Sequence, residues 1–494
     1  MHSLPDIENL IPGIKRLFSH TIGEPILFSS GLFWILFILF ISIYAFIYSR
    51  KVQMMLYVTA FSLFFYYQTN GLVFVFLPAT ALLDFTLAKI LHASTNKLHR
   101  KILLTYSIVM SVGILACFKY TNFFITTWND IFSDNFQLYN LILPVGISFY
   151  TFQSISYITD VYKGKIKPAN SFLQYLFYLS FFPLILAGPI MRAEKFFPQI
   201  QSNKRISSTM IYGGLWLVMI GIIKKAVFAD YIAQYNNWIF EAPLHFSGFE
   251  NLMGVLGYGA QIYCDFSGYS DMSIGIASIM GFDLGKNFNL PYQSSNITEF
   301  WRRWHISLSS WMRDYIYIPL GGNRTTKFRT YLNYMITMLI AGLWHGASWM
   351  FIIWGGLHGL GLVIHKINKP WLDKIPNNFP ARFLSWLITF SFVSFLWIFF
   401  RSVSMENSIE LITRIGSDFS LSYALPFLKA RTTWCIFIIL IFAFHAVPGK
   451  YYDKFKYYFI NSPWILKVIL FLIVVQLVIQ FQTGSVQPFI YFQF

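Results

Sequence analysis

Charged residues are scarce in this chain of 494 residues. Asp, Glu, Lys and Arg together make up 12% of it, whereas soluble domains carry about 25%. Hydrophobic residues account for 56% and aromatic residues for 20%. Apolar runs of about 18 residues or more cross bilayers as helices, because lipid offers backbone polar groups no partner outside the segment. The composition therefore excludes a soluble globular protein and predicts an all-α polytopic membrane protein.

Cysteine and the common catalytic motifs are also missing or rare. Cys117, Cys264 and Cys435 are scattered through apolar stretches, which excludes a disulfide framework and a zinc site and predicts small buried apolar residues. There is no H-E-x-x-H, G-x-S-x-G or Walker motif, and no cysteine lies beside a histidine. We therefore expect no bound metal and no bound cofactor.

Polar stretches long enough to hold an independent core are absent too. Residues 1–27 alternate apolar and charged positions at helical spacing, which predicts an amphipathic interfacial helix. Residues 28–494 are predicted to form a single transmembrane domain. The predicted apolar spans number thirteen and lie at 31–48, 52–68, 71–91, 102–118, 141–161, 172–190, 210–223, 250–264, 332–344, 349–364, 383–400, 434–447 and 464–481.

The net charge of +16 could indicate a nucleic-acid partner, but the positions of the basic residues argue against it. Lysine and arginine concentrate at 50–51, 97–101 and 163–167, and the loops between these positions are neutral or acidic. Basic loops on one side of a membrane are typical of cytoplasmic loops. We expect a multi-pass membrane protein with no nucleic-acid partner.

The hydropathy pattern breaks down between residues 265 and 330, where Asp265 and Asp271 fall in a glycine-rich stretch. Polar backbone at membrane depth is tolerated only inside protein or beside a watery cavity, so re-entrant or broken helices are predicted here. Residues 296–324 read "NITEFWRRWHISLSSWMRDYIYIPLGGNR" and predict a helix over 301–317. The ionisable residues of this stretch are Glu299, Arg302, Arg303, His305, Arg313, Asp314 and Arg324.

These charges admit two interpretations. An interfacial helix would place arginines and aromatic residues at the membrane surface as a belt. Ionisable groups inside a membrane are otherwise costly and usually functional, lining a cavity or facing a partner. An interfacial aromatic belt does not explain a histidine in the middle of the helix, so His305 favours the functional interpretation.

Two further histidines lie in "LIAGLWHGASWMFIIWGGLHG", residues 339–359. His345 and His358 are each followed by glycine, which would let a substrate approach the imidazole closely. A neutral imidazole can accept a proton from a hydroxyl near neutral pH. A histidine in an apolar run is more often a hydrogen-bonded core residue, so both roles stay open for each.

The segments "YCDFSGYSDMSIG", "FNLPYQSSNITEFWRRWHISLSSWMRDYIYIPLGGNR", "AGLWHGASWMFIIWGGLHG", "LPVGISFYTFQSISYITDVYKGKIKPAN" and the terminal "FIYFQF" resemble motifs of the membrane-bound O-acyltransferase (MBOAT) family. The similarity is to the bacterial branch that acylates alginate, peptidoglycan and teichoic acids, and it covers nearly the whole chain from Phe28. It implies a ring of tilted transmembrane helices with re-entrant segments around a central tunnel. It also implies that His345 is the essential residue, that His305 is the second functional histidine, and that His358 is scaffold.

The resemblance implies an enzyme that takes an acyl group, which we expect to be acetyl, from acyl-CoA in the cytoplasm. The acyl group would pass across a bacterial inner membrane to hydroxyls of a secreted or envelope polysaccharide. His345 would be the general base, while His305 would orient the reacting group or stabilise the oxyanion. The rival hypothesis is a transporter in which Asp265, Asp271 and His345 relay protons or coordinate ions.

Other roles are also implied. Arg302, Arg303, Arg313, Arg324, Asp265 and Asp271 are candidates for donor binding or for lining the tunnel. The arginines could bind the phosphates of coenzyme A or brace the fold by pairing with Glu299 and Asp314. An exported esterase-like acyltransferase is expected as the partner that acts on the polysaccharide. Tyr491 could carry the acyl group transiently or position the acceptor, or it could belong to an interfacial aromatic anchor.

Overall fold

The computed structural model describes residues 26–186, 188–202, 206–482 and 489–490. Within these ranges every regular element is helical and no strand occurs. Backbone contacts divide the chain into two compact units. Unit 1 comprises Met1–Ile206 with Met280–Phe282, and unit 2 comprises Ser207–Ile279 with Asp283–Phe494. The amphipathic helix was predicted over residues 1–27, of which 1–25 lie outside the described residues. The single-domain assignment stays a prediction.

The described part of unit 1 contains eight helices. A 3-10 turn at Gly71–Val75 joins the second helix to the third. The helices are α1 (Gly31–Ile47), α2 (Lys51–Asn70), α3 (Phe76–Ala93), α4 (Lys97–Phe132), α5 (Ile147–Tyr162), α6 (Phe172–Ser180), α7 (Phe182–Ile185) and α8 (Ala193–Gln201).

A cluster of phenylalanine rings forms the core of unit 1 around Phe182. The Phe182 ring lies 5.4 Å from that of Phe40 and 6.0 Å from that of Phe65. Deeper in the unit, the buried Asp84 carboxylate accepts hydrogen bonds from three hydroxyl groups. The donors are Ser107, Ser154 and Tyr175. Paired in this way, the carboxylate is tolerated in an apolar helix bundle.

Unit 2 contains thirteen helices in its described part and two short π-helical segments, Ile223–Ala229 and Arg313–Tyr317. The helices are α9 (Ser208–Ile222), α10 (Asp230–Glu241), α11 (Gly248–Ile279), α12 (Ile297–Arg303), α13 (Ile306–Met312), α14 (Lys327–His345), α15 (Trp349–Leu372), α16 (Phe379–Arg401), α17 (Met405–Ser417), α18 (Ala424–Ala430), α19 (Thr432–Ala446), α20 (Gly449–Asn461) and α21 (Trp464–Phe481).

Glycines let α9 and α11 pack with their backbones almost touching. A Cβ atom at Gly214 would lie 2.5 Å from the carbonyl oxygen of Gly275, and the reverse distance is also 2.5 Å. Two turns along, Gly221 and Gly268 form a second reciprocal pair, at 2.6 and 2.8 Å. Small residues at helix interfaces are the main means of close association in membranes, where lipid removes the hydrophobic driving force. This packing fixes α11, which carries Asp265 and Asp271, against the π-helical segment that follows α9.

The helical content and the long apolar helices confirm the predicted all-α polytopic membrane protein. Among the described residues, six helices are long and apolar enough to cross a membrane. A seventh is counted if Leu421–Ala430 and Thr432–Ala446, bent by 101°, form one span. The number of crossings, thirteen if each predicted span crosses once, stays a prediction. Residues 52–68 and 71–91 belong to one 43-residue segment, Lys51–Ala93.

Two predicted boundaries were wrong for identifiable reasons. The span predicted at 172–190 breaks at Phe181, just before Pro183, because proline lacks the backbone N–H that a continuous helix needs. Conversely, residues 265–279 are not broken and form the second half of α11. The irregular backbone predicted in this region starts only at residue 280 and recurs at Trp304–His305 and at 318–326.

Candidate functional site

The predicted helix over 301–317 is interrupted at His305. Helix α12 ends at Arg303 and α13 begins at Ile306. His305 between them has φ 42° and ψ 58°, a left-handed conformation that is uncommon for a residue other than glycine. Its side chain is fully buried. Such a conformation persists only where surrounding contacts hold it in place.

Asn287 supplies those contacts from a loop eighteen positions earlier. Its carbonyl oxygen accepts a hydrogen bond from the backbone N–H of Ile306 at 2.8 Å. Its side-chain Oδ1 accepts from the backbone N–H of Ser307 at 3.2 Å and from the Ser307 hydroxyl at 2.8 Å. The same Oδ1 lies 3.2 Å from Nδ1 of His305, and Nδ2 donates to Oγ of Ser270 at 3.1 Å. Asn287 thus forms hydrogen bonds with the backbone that follows the break and with the ring of His305.

His345 ends α14 and is 3% exposed. Its imidazole lies among aromatic rings, with centroids 5.1 Å from Trp344, 5.0 Å from Trp354 and 5.3 Å from Phe400. The helix terminus fixes its backbone, and the rings limit its rotamers. His345 is therefore a rigid, buried imidazole.

Tryptophan rings connect all three candidate histidines. The Trp344 ring lies 6.1 Å from His305 and 5.1 Å from His345. The Trp354 ring lies 5.0 Å from His345 and 4.7 Å from His358. Unit 2 thus brings His305, His345 and His358 into one aromatic cluster, although they lie on three different elements. We call it the histidine cluster.

The glycines after His345 and His358 pack closely against neighbouring side chains. A Cβ at Gly346 would lie 2.0 Å from the Phe351 ring, so the space at this glycine is filled by that ring. A Cβ at Gly359 would lie 3.0 Å from the sulfur of Met335. Both glycines therefore serve the packing of α14 against α15, and close approach of a substrate to the imidazoles stays a prediction.

The carboxylates predicted to line the tunnel are engaged by two adjacent lysines. Lys225, 1% exposed, forms ion pairs with Asp230 at 2.8 Å and with Asp265 at 2.5 Å. Lys224 pairs with Asp271 at 2.7 Å, where both side chains are about one-fifth exposed. Sequence reasoning missed both lysines and Asp230. The only available signal was the pair of lysines ending an apolar run in "IGIIKKAVFAD".

Two of the four candidate arginines form the structural pairs that were the alternative role. Arg303 lies 2.7 Å from Glu299, and Arg313 lies 2.7 Å from Asp314. Partial burial raises the pKa of Glu299. Hydrogen bonds from the backbone N–H and hydroxyl of Ser295, together with the Arg303 charge, outweigh burial and lower that pKa below its ordinary value.

The other two arginines are exposed. In the described part of the chain, neither Arg302 nor Arg324 forms an ion pair. Arg324 is followed by Lys327 and Arg329, which are exposed as well. Residues 324–329 therefore present a basic surface, of which sequence reasoning identified only the first member.

The last described residues lie close to His305. Phe489 is fully buried, with its ring 5.8 Å from that of Phe266. The Phe266 ring lies 4.6 Å from His305. The backbone N–H of Ile490 donates to Oδ2 of Asp265 at 3.0 Å. Asp265 therefore has two partners in unit 2, the side chain of Lys225 and the backbone of Ile490.

Some predictions are not reached by these observations. Tyr491 lies outside the described residues. Within the described ranges, no group of three or more His, Cys, Asp or Glu side chains could hold a metal ion. Sequence reasoning also missed Asn287, because a single asparagine in the polar loop "GKNFNLP" gives no signal that it will meet His305.

Comparison with known proteins agrees with the resemblance. Residues 167–408 match the description "MBOAT, membrane-bound O-acyltransferase family". The chain is 37% identical over 377 residues to "Peptidoglycan O-acetyltransferase" of Helicobacter pylori, covering 71% of each chain. It is 37% identical over 402 residues to "Probable alginate O-acetylase AlgI" of Azotobacter vinelandii, covering 80% of this chain and 79% of the relative. It is 32% identical over 269 residues to "Teichoic acid D-alanyltransferase" of Bacillus subtilis, covering 52% of this chain and 68% of the relative. This chain belongs to the membrane-bound O-acyltransferase family.

Proposed function

We propose that this protein is a membrane O-acetyltransferase that uses acetyl-CoA from the cytoplasm to acetylate hydroxyls of a secreted or cell-envelope polysaccharide. The names of the alginate and peptidoglycan relatives support O-acetylation. The observation that carries the proposal is the histidine cluster, in which Trp344 lies between His305 and His345. The cluster falls within the family match at 167–408. We further propose the bacterial inner membrane as its location.

His345 is the general base in this proposal. It removes the proton of the attacking hydroxyl as that oxygen bonds to the thioester carbonyl carbon. The carbon–sulfur bond then breaks, and the proton passes from His345 to the leaving thiolate of coenzyme A. Buried rings exclude water, which would otherwise compete with the acceptor and hydrolyse the thioester. Positioned base catalysis contributes about 10²–10⁴ in rate.

The basic surface at residues 324–329 is the proposed binding site for the donor. Coenzyme A carries phosphates, and guanidinium groups bind phosphate through paired hydrogen bonds. Arg324, Lys327 and Arg329 are exposed, so their charges are available to such a ligand. Arg302 is a further exposed candidate, whereas Arg303 and Arg313 already pair with carboxylates.

The acceptor side requires a second protein in this proposal. The described residues form helices and short loops with no separate soluble domain that could bind a polymer. An exported esterase-like acyltransferase would complete transfer to the polysaccharide. Tyr491 would pass it the acyl group or position the acceptor. Phe489 and Ile490, the residues before Tyr491, support this role, since Phe489 packs against Phe266 beside His305 and Ile490 donates to Asp265.

The transporter hypothesis has no observation in its favour among the described residues. Its two carboxylates, Asp265 and Asp271, form ion pairs with lysines.

Proteoliposomes test the proposal directly. Purified protein is reconstituted with acetyl-CoA, labelled in the acetyl group, on one side of the membrane. An acceptor oligosaccharide and the exported partner are supplied on the other side, and proton flux is recorded in parallel. The proposal predicts labelled O-acetyl ester that depends on the protein, without proton flux. Proton flux in the absence of labelled ester would contradict it and favour the transporter.

A further inference from the structure

We propose that Asn287 is a positioning residue that fixes the tautomer of His305, so that Nε2 of His305 accepts a hydrogen bond from bound substrate. This inference rests on the proposed acyl transfer and refines it, because it decides between the two roles that were open for His305.

The orientation of the Asn287 amide is determined by its neighbours. A backbone N–H can only donate, so the side-chain atom of Asn287 that faces the backbone N–H of Ser307 must be the oxygen. The other amide atom is then Nδ2, which donates to Oγ of Ser270. A flipped amide would place an N–H against the N–H of Ser307. The assignment of Oδ1 is therefore not interchangeable here.

The tautomer of His305 follows from this orientation. Nδ1 of His305 lies 3.2 Å from Oδ1 of Asn287, which is an acceptor, so Nδ1 must carry the hydrogen. The Ser307 hydroxyl lies 3.4 Å from the same Nδ1, but its single proton is already donated to Oδ1 at 2.8 Å. Neutral His305 thus has a protonated Nδ1 and a lone pair on Nε2.

The other ring nitrogen of His305 has no hydrogen-bond partner within the described part of the chain, although the side chain is fully buried. The rings packed against it, Phe266, Phe288 and Trp344, carry no charge. A buried lone pair without a partner is destabilising, because it has lost its hydrogen bond to water. A substrate O–H or N–H group would remove this cost on binding.

This assignment excludes one of the two proposed roles for neutral His305. An oxyanion needs a hydrogen-bond donor, and Nε2 offers a lone pair. His305 therefore orients the substrate by accepting from one of its O–H or N–H groups, other than the proton that His345 removes. Asn287 acts through His305, in the way that a third group orients the base of a catalytic triad.

Three variants at two positions test the inference in the acetyl-transfer assay. Asn287→Ala removes the acceptor from Nδ1, and kcat/KM should fall about 10²-fold, as a misoriented group commonly costs. Asn287→Asp keeps an acceptor facing Nδ1 and should recover most of the loss at high pH. Asn289→Ala is the matched control, because Asn289 is an exposed asparagine of the same loop, and it should match wild type.

The pH profile separates positioning from packing. The carboxylate of Asn287→Asp favours the protonated imidazolium, so the pKa of His305 rises in that variant. Only the neutral form of His305 accepts at Nε2, so its protonation adds to that of the base His345. The acidic limb of kcat/KM should steepen and move up by about 1–3 pH units. Asn287→Ala should not recover at any pH.

Several results would overturn the inference while leaving the proposed function intact. One is an Asn287→Ala activity within about threefold of wild type. The other is a folded Asn287→Asp variant that is as impaired as Asn287→Ala and whose pH profile of kcat/KM has not moved. Should Asn287→Ala fail to fold, the pH limb of Asn287→Asp decides alone. If wild-type protein transfers no acetyl group, the proposed function itself fails.

Discussion

Replacing Lys225 with methionine should strongly destabilise unit 2, and replacing its neighbour Lys224 should not. The Lys225 side chain is 1% exposed and is shared by Asp230 and Asp265, whose side chains are 10% and 6% exposed. Methionine keeps the length of the side chain but removes the charge, which leaves two buried carboxylates without a cation. Breaking a buried pair by removing one partner costs about 3–5 kcal/mol.

Lys224 is the matched control. It lies next to Lys225 in the same π-helical segment and also pairs with an aspartate of α11, but its side chain and that of Asp271 are 22% and 21% exposed. Because Lys224 pairs with one carboxylate rather than two and both side chains are less buried, Lys224→Met should cost less than Lys225→Met.

The measurement is the free energy of unfolding of detergent-purified protein, followed by helical circular dichroism during titration with a denaturing detergent. A triple variant that combines Lys225→Met with Asp230→Asn and Asp265→Asn adds a second test. It leaves no unpaired charge, so it should recover more than half of the loss. Equal stability of Lys225→Met and Lys224→Met, or no recovery in the triple variant, would refute the reasoning.

Three further predictions concern packing, donor binding and the carboxyl end. Gly355→Ala should lower the midpoint of thermal unfolding markedly, because its Cβ would lie 2.4 Å from the carbonyl oxygen of Met338. Gly356→Ala should not, because its Cβ would lie 3.5 Å from the nearest atom. Equal effects of the two changes would contradict the helix contact. Arg324→Ala should raise the KM for acetyl-CoA by about tenfold, as expected for loss of about 1.4 kcal/mol, with little change in kcat; lower expression alone would make it a structural residue. Tyr491→Phe removes only the hydroxyl and should abolish polymer acetylation in cells; normal acetylation would leave the aromatic anchor as its role.

The sequence predicted those features of the fold that depend on local composition. The apolar run at 464–481 forms α21 within the same bounds, and the run predicted at 31–48 forms α1 over Gly31–Ile47. A hydropathy pattern reports the cost of leaving each segment exposed to lipid. It therefore locates apolar helices well where no distant residue alters that cost.

The prediction from sequence failed where a distant residue changes the cost of exposing a segment to lipid. The run predicted to end at 264 continues to Ile279 because lysines outside α11 neutralise Asp265 and Asp271. The predicted helix through His305 is broken because Asn287 supplies the hydrogen bonds that the helix would otherwise make. Neither partner can be identified from local sequence, since each lies at least eighteen residues away along the chain.

The candidate site was predictable in part for the same reason. His305 and His345 were chosen because histidine is unexpected in an apolar or belt-like stretch, and the structure brings them to the two sides of Trp344. The arginine roles could not be separated from sequence. Arg303 and Arg324 belong to one stretch, yet the first pairs with a carboxylate and the second is exposed.

The central claim is that His345 is the base for acyl transfer, and one comparison tests it most directly. Purified wild-type, His345→Ala and His358→Ala proteins are assayed for transfer of labelled acetyl from acetyl-CoA at matched folded concentration. His358 is the control because it lies in the same cluster, 4.7 Å from the Trp354 ring that also contacts His345. If His345 is the base, His345→Ala should lose at least about 10²-fold in kcat, and His358→Ala should retain most of the wild-type activity. More than about a tenth of wild-type activity in His345→Ala, or an equal loss in both variants, would contradict it.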